Sequence, residues 1–144
     1  MKKLCLHPLF FLGLLIRLAL IIGMAPLAVS EWYVPFLVKW SKIGEHHCAV
    51  RVSEFESIET ALTLAGKVDW VWVDCFTKFP LIQEDAVRLK NAGFKLCLVS
   101  PELQGRNAEI EIPALVSLLR ARNIESDAVC TKRPDLWEKM AIPQ

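Results

Sequence analysis

The chain has 144 residues, 53% of them hydrophobic and 23% charged, with a mean hydropathy of +0.35, and that length holds one domain or one small domain plus an anchor. Residues 1–44 carry five Lys/Arg and one Glu (+4), whereas residues 45–144 carry twelve Lys/Arg and fifteen Asp/Glu (−3). A basic, apolar head on a mildly acidic body argues against a nucleic-acid binder, which needs a clustered basic face, and the apolar content argues against disorder.

The head, residues 1–44, reads as a membrane anchor with an interfacial segment. From Leu4 to Ser30 only Arg17 is charged, and a helix of roughly 20 apolar residues crosses a bilayer. Lys2 and Lys3 precede the run; Trp32, Tyr33, Phe36 and Trp40 follow it with Lys39 and Lys42, as interfacial aromatic and basic anchors do. The competing reading is a cleaved signal peptide with Ala28-Val29-Ser30 as its small-residue site. Arg17 at mid-span costs on the order of 3 kcal/mol unless it snorkels or finds a partner. It reads either as a contact with another membrane subunit or a lipid phosphate, or as part of a shallow hairpin broken at Pro26. Glu31-Trp32-Tyr33 after an Arg-bearing apolar run also resembles the first span of polytopic glycosyltransferases, over about 35 residues and with no further spans.

The body, residues 45–144, alternates strand and helix patterns. Strands are predicted at 47–53, 70–75, 95–100 and 128–131. Helices are predicted over 57–65, closed by Gly66; over 83–92, with Ala86, Val87 and Leu89 apolar and Gly93 as the stop; over 113–122, with Pro113 in its first turn; and from Pro134 onward. Near-continuous apolar strands separated by helices define an α/β class, four βα units of a parallel sheet with right-handed connections, or half of an eight-stranded barrel. Gly105-Arg106-Asn107 reads as a loop before a helix. Trp70 and Trp72 share one strand face; packing in the core or against helices is expected of them, with an exposed aromatic platform as the alternative.

Ligands of parallel α/β folds meet the C-terminal strand ends. That rim collects Ser53, Glu54, Asp74, Ser100, Glu102, Thr131 and Lys132, a mixture suited to a polar or phosphorylated ligand. Each also fits the polar residue that ordinarily ends a buried strand. Asp74 is the leading candidate, because a carboxylate directly after the apolar run Trp70 to Val73 needs a partner or water.

Asp74 of VWVDCF, Ser100-Pro101-Glu102 of LVSPE and, above all, the Thr131-Lys132-Arg133-Pro134-Asp135 ending resemble the closing units of the glycerophosphodiester phosphodiesterase group, among the phosphatidylinositol-phospholipase-C-like barrels. The resemblance covers about the last 95 residues. It implies a TIM-like barrel that cleaves phosphodiesters in lipid metabolism with a divalent cation, Mg²⁺ or Ca²⁺, and general acid–base histidines. The family's His-bearing, metal-holding half has no counterpart here. The only histidines are His7 in the head and His46 and His47 before the first strand, and adjacent side chains in extended chain point apart. The ligand-binding candidates remain the strand-end residues Glu54, Asp74, Ser100, Glu102, Thr131 and Lys132, and phosphate recognition by Lys132 or Arg133 could survive without that half.

Five cysteines occur, four of them one per expected strand, with no metal-binding spacing. Their odd number and wide separation fit a reducing compartment, hence a cytosolic body. The expectation is a single-pass, membrane-anchored half-barrel lacking independent catalysis, whose partners are the membrane and a second half-barrel or a second copy of itself. The alternative is a non-catalytic subunit or interaction protein of a membrane complex.

Overall fold

The computed structural model describes residues 35, 37–39, 41–44 and 48–140. The apolar run 4–30 with Arg17, the aromatics Trp32, Tyr33, Phe36 and Trp40, and His46 and His47 lie outside the described residues. Among those described, no helix is long and apolar enough to cross a membrane.

Four strands form one sheet in the order β1-β2-β3-β4, every pair parallel: β1 (Ala49–Val52), β2 (Trp70–Val73), β3 (Lys95–Val99) and β4 (Ala128–Cys130). Between them lie α1 (Ile58–Leu62), α2 (Gln83–Asn91), a 3-10 turn (Pro101–Gln104) and α3 (Ala108–Ala121); α4 (Pro134–Met140) closes the series. The α/β class and the strand–helix alternation stand as expected.

Register and pleat divide the sheet into two faces. Val50, Val71 and Leu96 are aligned across the strands, as are Val52, Val73, Leu98 and Val129. The first six belong to the main core with Ala61, Leu64 and Leu89, and the half-buried Val129 packs against it. Removing each large aliphatic side chain from water contributes roughly 1.5–3 kcal/mol. β3, at the centre, buries four of its five residues, whereas β4 at the edge is half-buried throughout. Leu37, from the head side of the expected boundary at residue 44, is 5% exposed and sits in the same core cluster.

Several local expectations change. Trp70 and Trp72 alternate with core valines and stand half-buried on the opposite face, where the Lys95 ammonium lies 5.5 Å from the Trp70 ring centroid. Val87 is 49% exposed, so α2 packs through Ala86 and Leu89 alone. α1 is shorter than expected, since after Leu62 the chain continues as i→i+3 turns, ending on Gly66 with φ +72°. α3 begins five residues earlier than expected. The Asn107 side chain caps it by accepting from Glu109 N–H at 3.0 Å, and Glu109 and Glu111 complement the positive helix end. Pro113 thus lies inside the helix, where it forgoes one backbone hydrogen bond.

Candidate functional site

The C-terminal strand ends gather the expected polar residues, and each carboxylate is engaged by the loop that follows the neighbouring strand. Glu54, just after β1, reaches the loop after β2. Its Oε1 accepts from Thr77 N–H, from Lys78 N–H at 2.6 Å and from the Thr77 hydroxyl at 2.9 Å, while its Oε2 accepts from Phe76 N–H at 3.1 Å. Burial opposes ionisation there, but the N–H groups of Lys78, Thr77, Glu54 itself and Phe76 outweigh it and hold the carboxyl at about 2.

Asp74, after β2, is fully buried. The Gln104 side-chain amide, from the turn after β3, donates to its Oδ1 at 2.5 Å. Glu102, after β3, reaches the loop after β4: its Oε1 accepts from the Thr131 hydroxyl at 2.6 Å and from Lys132 N–H at 2.8 Å. Its Oε2 accepts from the Ser100 hydroxyl, which in turn accepts from the indole N–H of Trp137 at 2.8 Å. Burial again works to raise the Glu102 carboxyl, and the donors from Ser100, Thr131 and Lys132 bring it below the ordinary value.

The candidates thus fall into three sets. Ser100, Glu102, Thr131 and the Lys132 backbone form one cluster; Asp74 pairs with Gln104; Glu54 belongs to the 76–78 loop. Ser53 stands apart, donating to Glu56, which also takes the Nε of Arg51 at 2.7 Å. The Thr131–Asp135 segment is a turn and helix start. Thr131 Oγ1 accepts from Arg133 N–H at 2.8 Å, and Pro134 is the first residue of α4. Arg133 is neutralised by Asp135 at 2.8 Å and Glu109 at 2.9 Å, which leaves the exposed Lys132 ammonium as the cation of this corner. Among the described residues, no group of three or more His, Cys, Asp or Glu is arranged to hold a metal ion.

Sequence reasoning did not find Gln104 or Arg106. Arg106 Nη1 donates to the Cys75 thiol at 3.2 Å, and its Nη2 pairs with Glu111. Burial pushes the Cys75 thiol up, and the Arg106 guanidinium offsets part of that rise. The signal available was position alone: both lie just before the Asn107 cap, at the rim end of α3.

These features define a parallel α/β domain of four strands whose rim is laced by its own carboxylates. Comparison of the chain with family models, with curated proteins and with solved structures finds no match.

Proposed function

We propose that the protein is a phosphodiesterase-type half-barrel, held at a membrane by its apolar head with the body in the cytosol, and without hydrolytic activity of its own. Its sheet is completed by a second half, another copy or a separate chain. The observation that carries this reading is the engagement of Glu54, Asp74 and Glu102 by the adjoining loops. In-line phosphodiester cleavage needs an acid, a base and a cation held in place, and these acids are occupied in holding backbone and amide donors. The Thr131–Asp135 ending supports kinship with such barrels, and among the described residues β1 and β4 each pair on one side only.

The test is hydrolysis of glycerophosphodiesters by the detergent-purified full chain, with and without Mg²⁺ or Ca²⁺, beside Asp74→Asn. No turnover from folded protein is expected. Metal-dependent turnover that disappears in D74N overturns the proposal. A second reading, an interaction subunit of a membrane complex, is favoured by Phe55, which is 79% exposed beside Phe76 with ring centroids 5.7 Å apart. A Phe55→Ser chain that migrates unchanged in native membrane extracts counts against it.

A further inference from the structure

Next to the Ser100–Glu102–Thr131 cluster, at the same end of the sheet, a cleft of about 340 Å³ lies between α3 and the chain that leaves β2. Its size lies at the lower end of the roughly 300–1,000 Å³ of small-ligand sites. One wall is a stripe at helical spacing from Glu111 through Leu115 and Leu118 of α3 to its C-cap, Arg122. Eleven residue steps make that wall about 16 Å long. The facing wall is Thr77, Lys78 and Phe79. Phe79 and Leu115 are largely buried, so the floor is apolar.

The charges are unbalanced, with Lys78, Arg106 and Arg122 lining the cleft against Glu111 alone. Arg122 is tied down, donating to the Leu81 carbonyl at 2.7 Å. Arg106 is not fully used. A guanidinium carries five donors, and among the described residues its acceptors are one carboxylate and the Cys75 sulfur, a weak acceptor. The Lys78 side chain is exposed, and its ammonium has no acceptor among the described residues. An apolar floor beneath a solvent-facing Lys and a partly buried Arg fits a ligand with a hydrocarbon tail and a negative head.

We infer that this cleft binds a single-chain amphiphilic anion, its carboxylate or phosphate head against Arg106 and Lys78 and its chain along Phe79, Leu115 and Leu118. A neutral amphiphile of equal length makes no ion pair with either cation and binds more weakly. The anion-facing side chains take no part in the rim cluster, so the cleft fills or stays empty whatever the hydrolysis assay returns.

The experiment is equilibrium dialysis of labelled decanoate and labelled decyl phosphate against the full chain held in amphipol. Leu118→Trp and Ala114→Phe, which fill the groove from a half-buried and an exposed position, serve as blanks for tail binding to the amphipol. Far-UV circular dichroism checks that each variant is folded. The expected result is one saturable site per chain above the blanks, weakened about tenfold (about 1.4 kcal/mol) by Arg106→Gln, which loses a charge-assisted hydrogen bond, and less by Lys78→Gln. Stronger binding of decyl phosphate than decanoate assigns the head to phosphate, and the reverse order to carboxylate; either supports the site. No binding above both folded blanks, equal binding of decanol, or R106Q and K78Q that both bind like the wild type overturns it.

Discussion

Glu54→Gln separates a structural clasp from a spare strand-end acid. The substitution keeps the side chain's shape, removes its charge, and turns one acceptor into an NH₂ group facing the donors of loop 76–78. In the folded protein this carboxyl sits at about 2 against an ordinary 4.5, a difference with a ceiling of about 3 kcal/mol. Solvent screening at a half-buried rim position reduces that to roughly 1–2 kcal/mol. Because the folded value lies below the unfolded one, the contribution is complete above about pH 4.5 and is lost as pH falls toward 2. Urea unfolding of the full chain and of E54Q at pH 7 and pH 3, followed by circular dichroism, reads the effect. E54Q should be weaker at pH 7 by roughly 1–2 kcal/mol, or about 2–8 °C in Tm. Wild type should lose more stability than E54Q between pH 7 and pH 3. The other acids are common to both proteins and cancel in that difference. Equal losses in the two proteins refute the clasp.

Thr131→Val removes the donor to Glu102 and the acceptor of Arg133 N–H; a loss of about 1–3 kcal/mol is expected, with faster amide exchange at Lys132 and Arg133, and unchanged exchange there contradicts it. Asn107→Ala removes the cap of α3 at about 0.5–2 kcal/mol. Its amide exchange should rise in Ala108–Ile112, ahead of Pro113, and little beyond; a uniform rise would mean that the cap does not fix this end. Leu96→Ala empties a fully buried position in the central strand, with an expected loss of about 2–5 kcal/mol from the urea midpoint. A loss under about 1 kcal/mol would remove β3 from the core.

The sheet was legible because β2, all Trp and Val, and β3, apolar from Leu96 to Val99, are short apolar runs bounded by Asp69 and Gly93 on one side and Asp74 and Ser100 on the other. The stop of α2 was legible because Gly93 takes positive φ, which favours glycine, whereas α1 gives way to turns after Leu62, ahead of Gly66. The start of α3 was misjudged by giving Pro113 more weight than Asn107, although an Asn cap followed by two acids within the first turn is a start signal as well. The faces of Trp70 and Trp72 could not be assigned from period two alone, which pairs residues on a side without saying which side meets the helices. The destinations of the rim carboxylates were beyond reach for a similar reason. Glu54 bonds residues 22 to 24 positions away and Glu102 bonds residues 29 and 30 positions away, contacts that exist only once parallel neighbours bring their loops together.

Those long-range bonds change what the Thr131–Asp135 ending signifies. Thr131 is needed where it is to answer Glu102 and to close the turn onto Arg133 N–H; Pro134 is needed at the first position of α4; and Asp135 balances the Arg133 guanidinium. Every residue of the pattern, Lys132 through its backbone N–H alone, therefore has a folding role in this chain, and the pattern's presence speaks for the closing unit of a parallel βα array before it speaks for catalysis. The same holds in sequence along the rim: the acid after β1 holds the loop after β2, the acid after β2 takes the amide from the turn after β3, and the acid after β3 holds the loop after β4. Each bond spans one strand interval in the same direction, so that neutralising one acid loosens the loop ahead of it and leaves the loop behind it held. Chemistry at this rim would have to displace one of those bonds. The cleft beside α3 demands no such displacement, since Lys78 and Arg106 face it with donors in hand, and ligand binding is for that reason better supported there than at the strand ends.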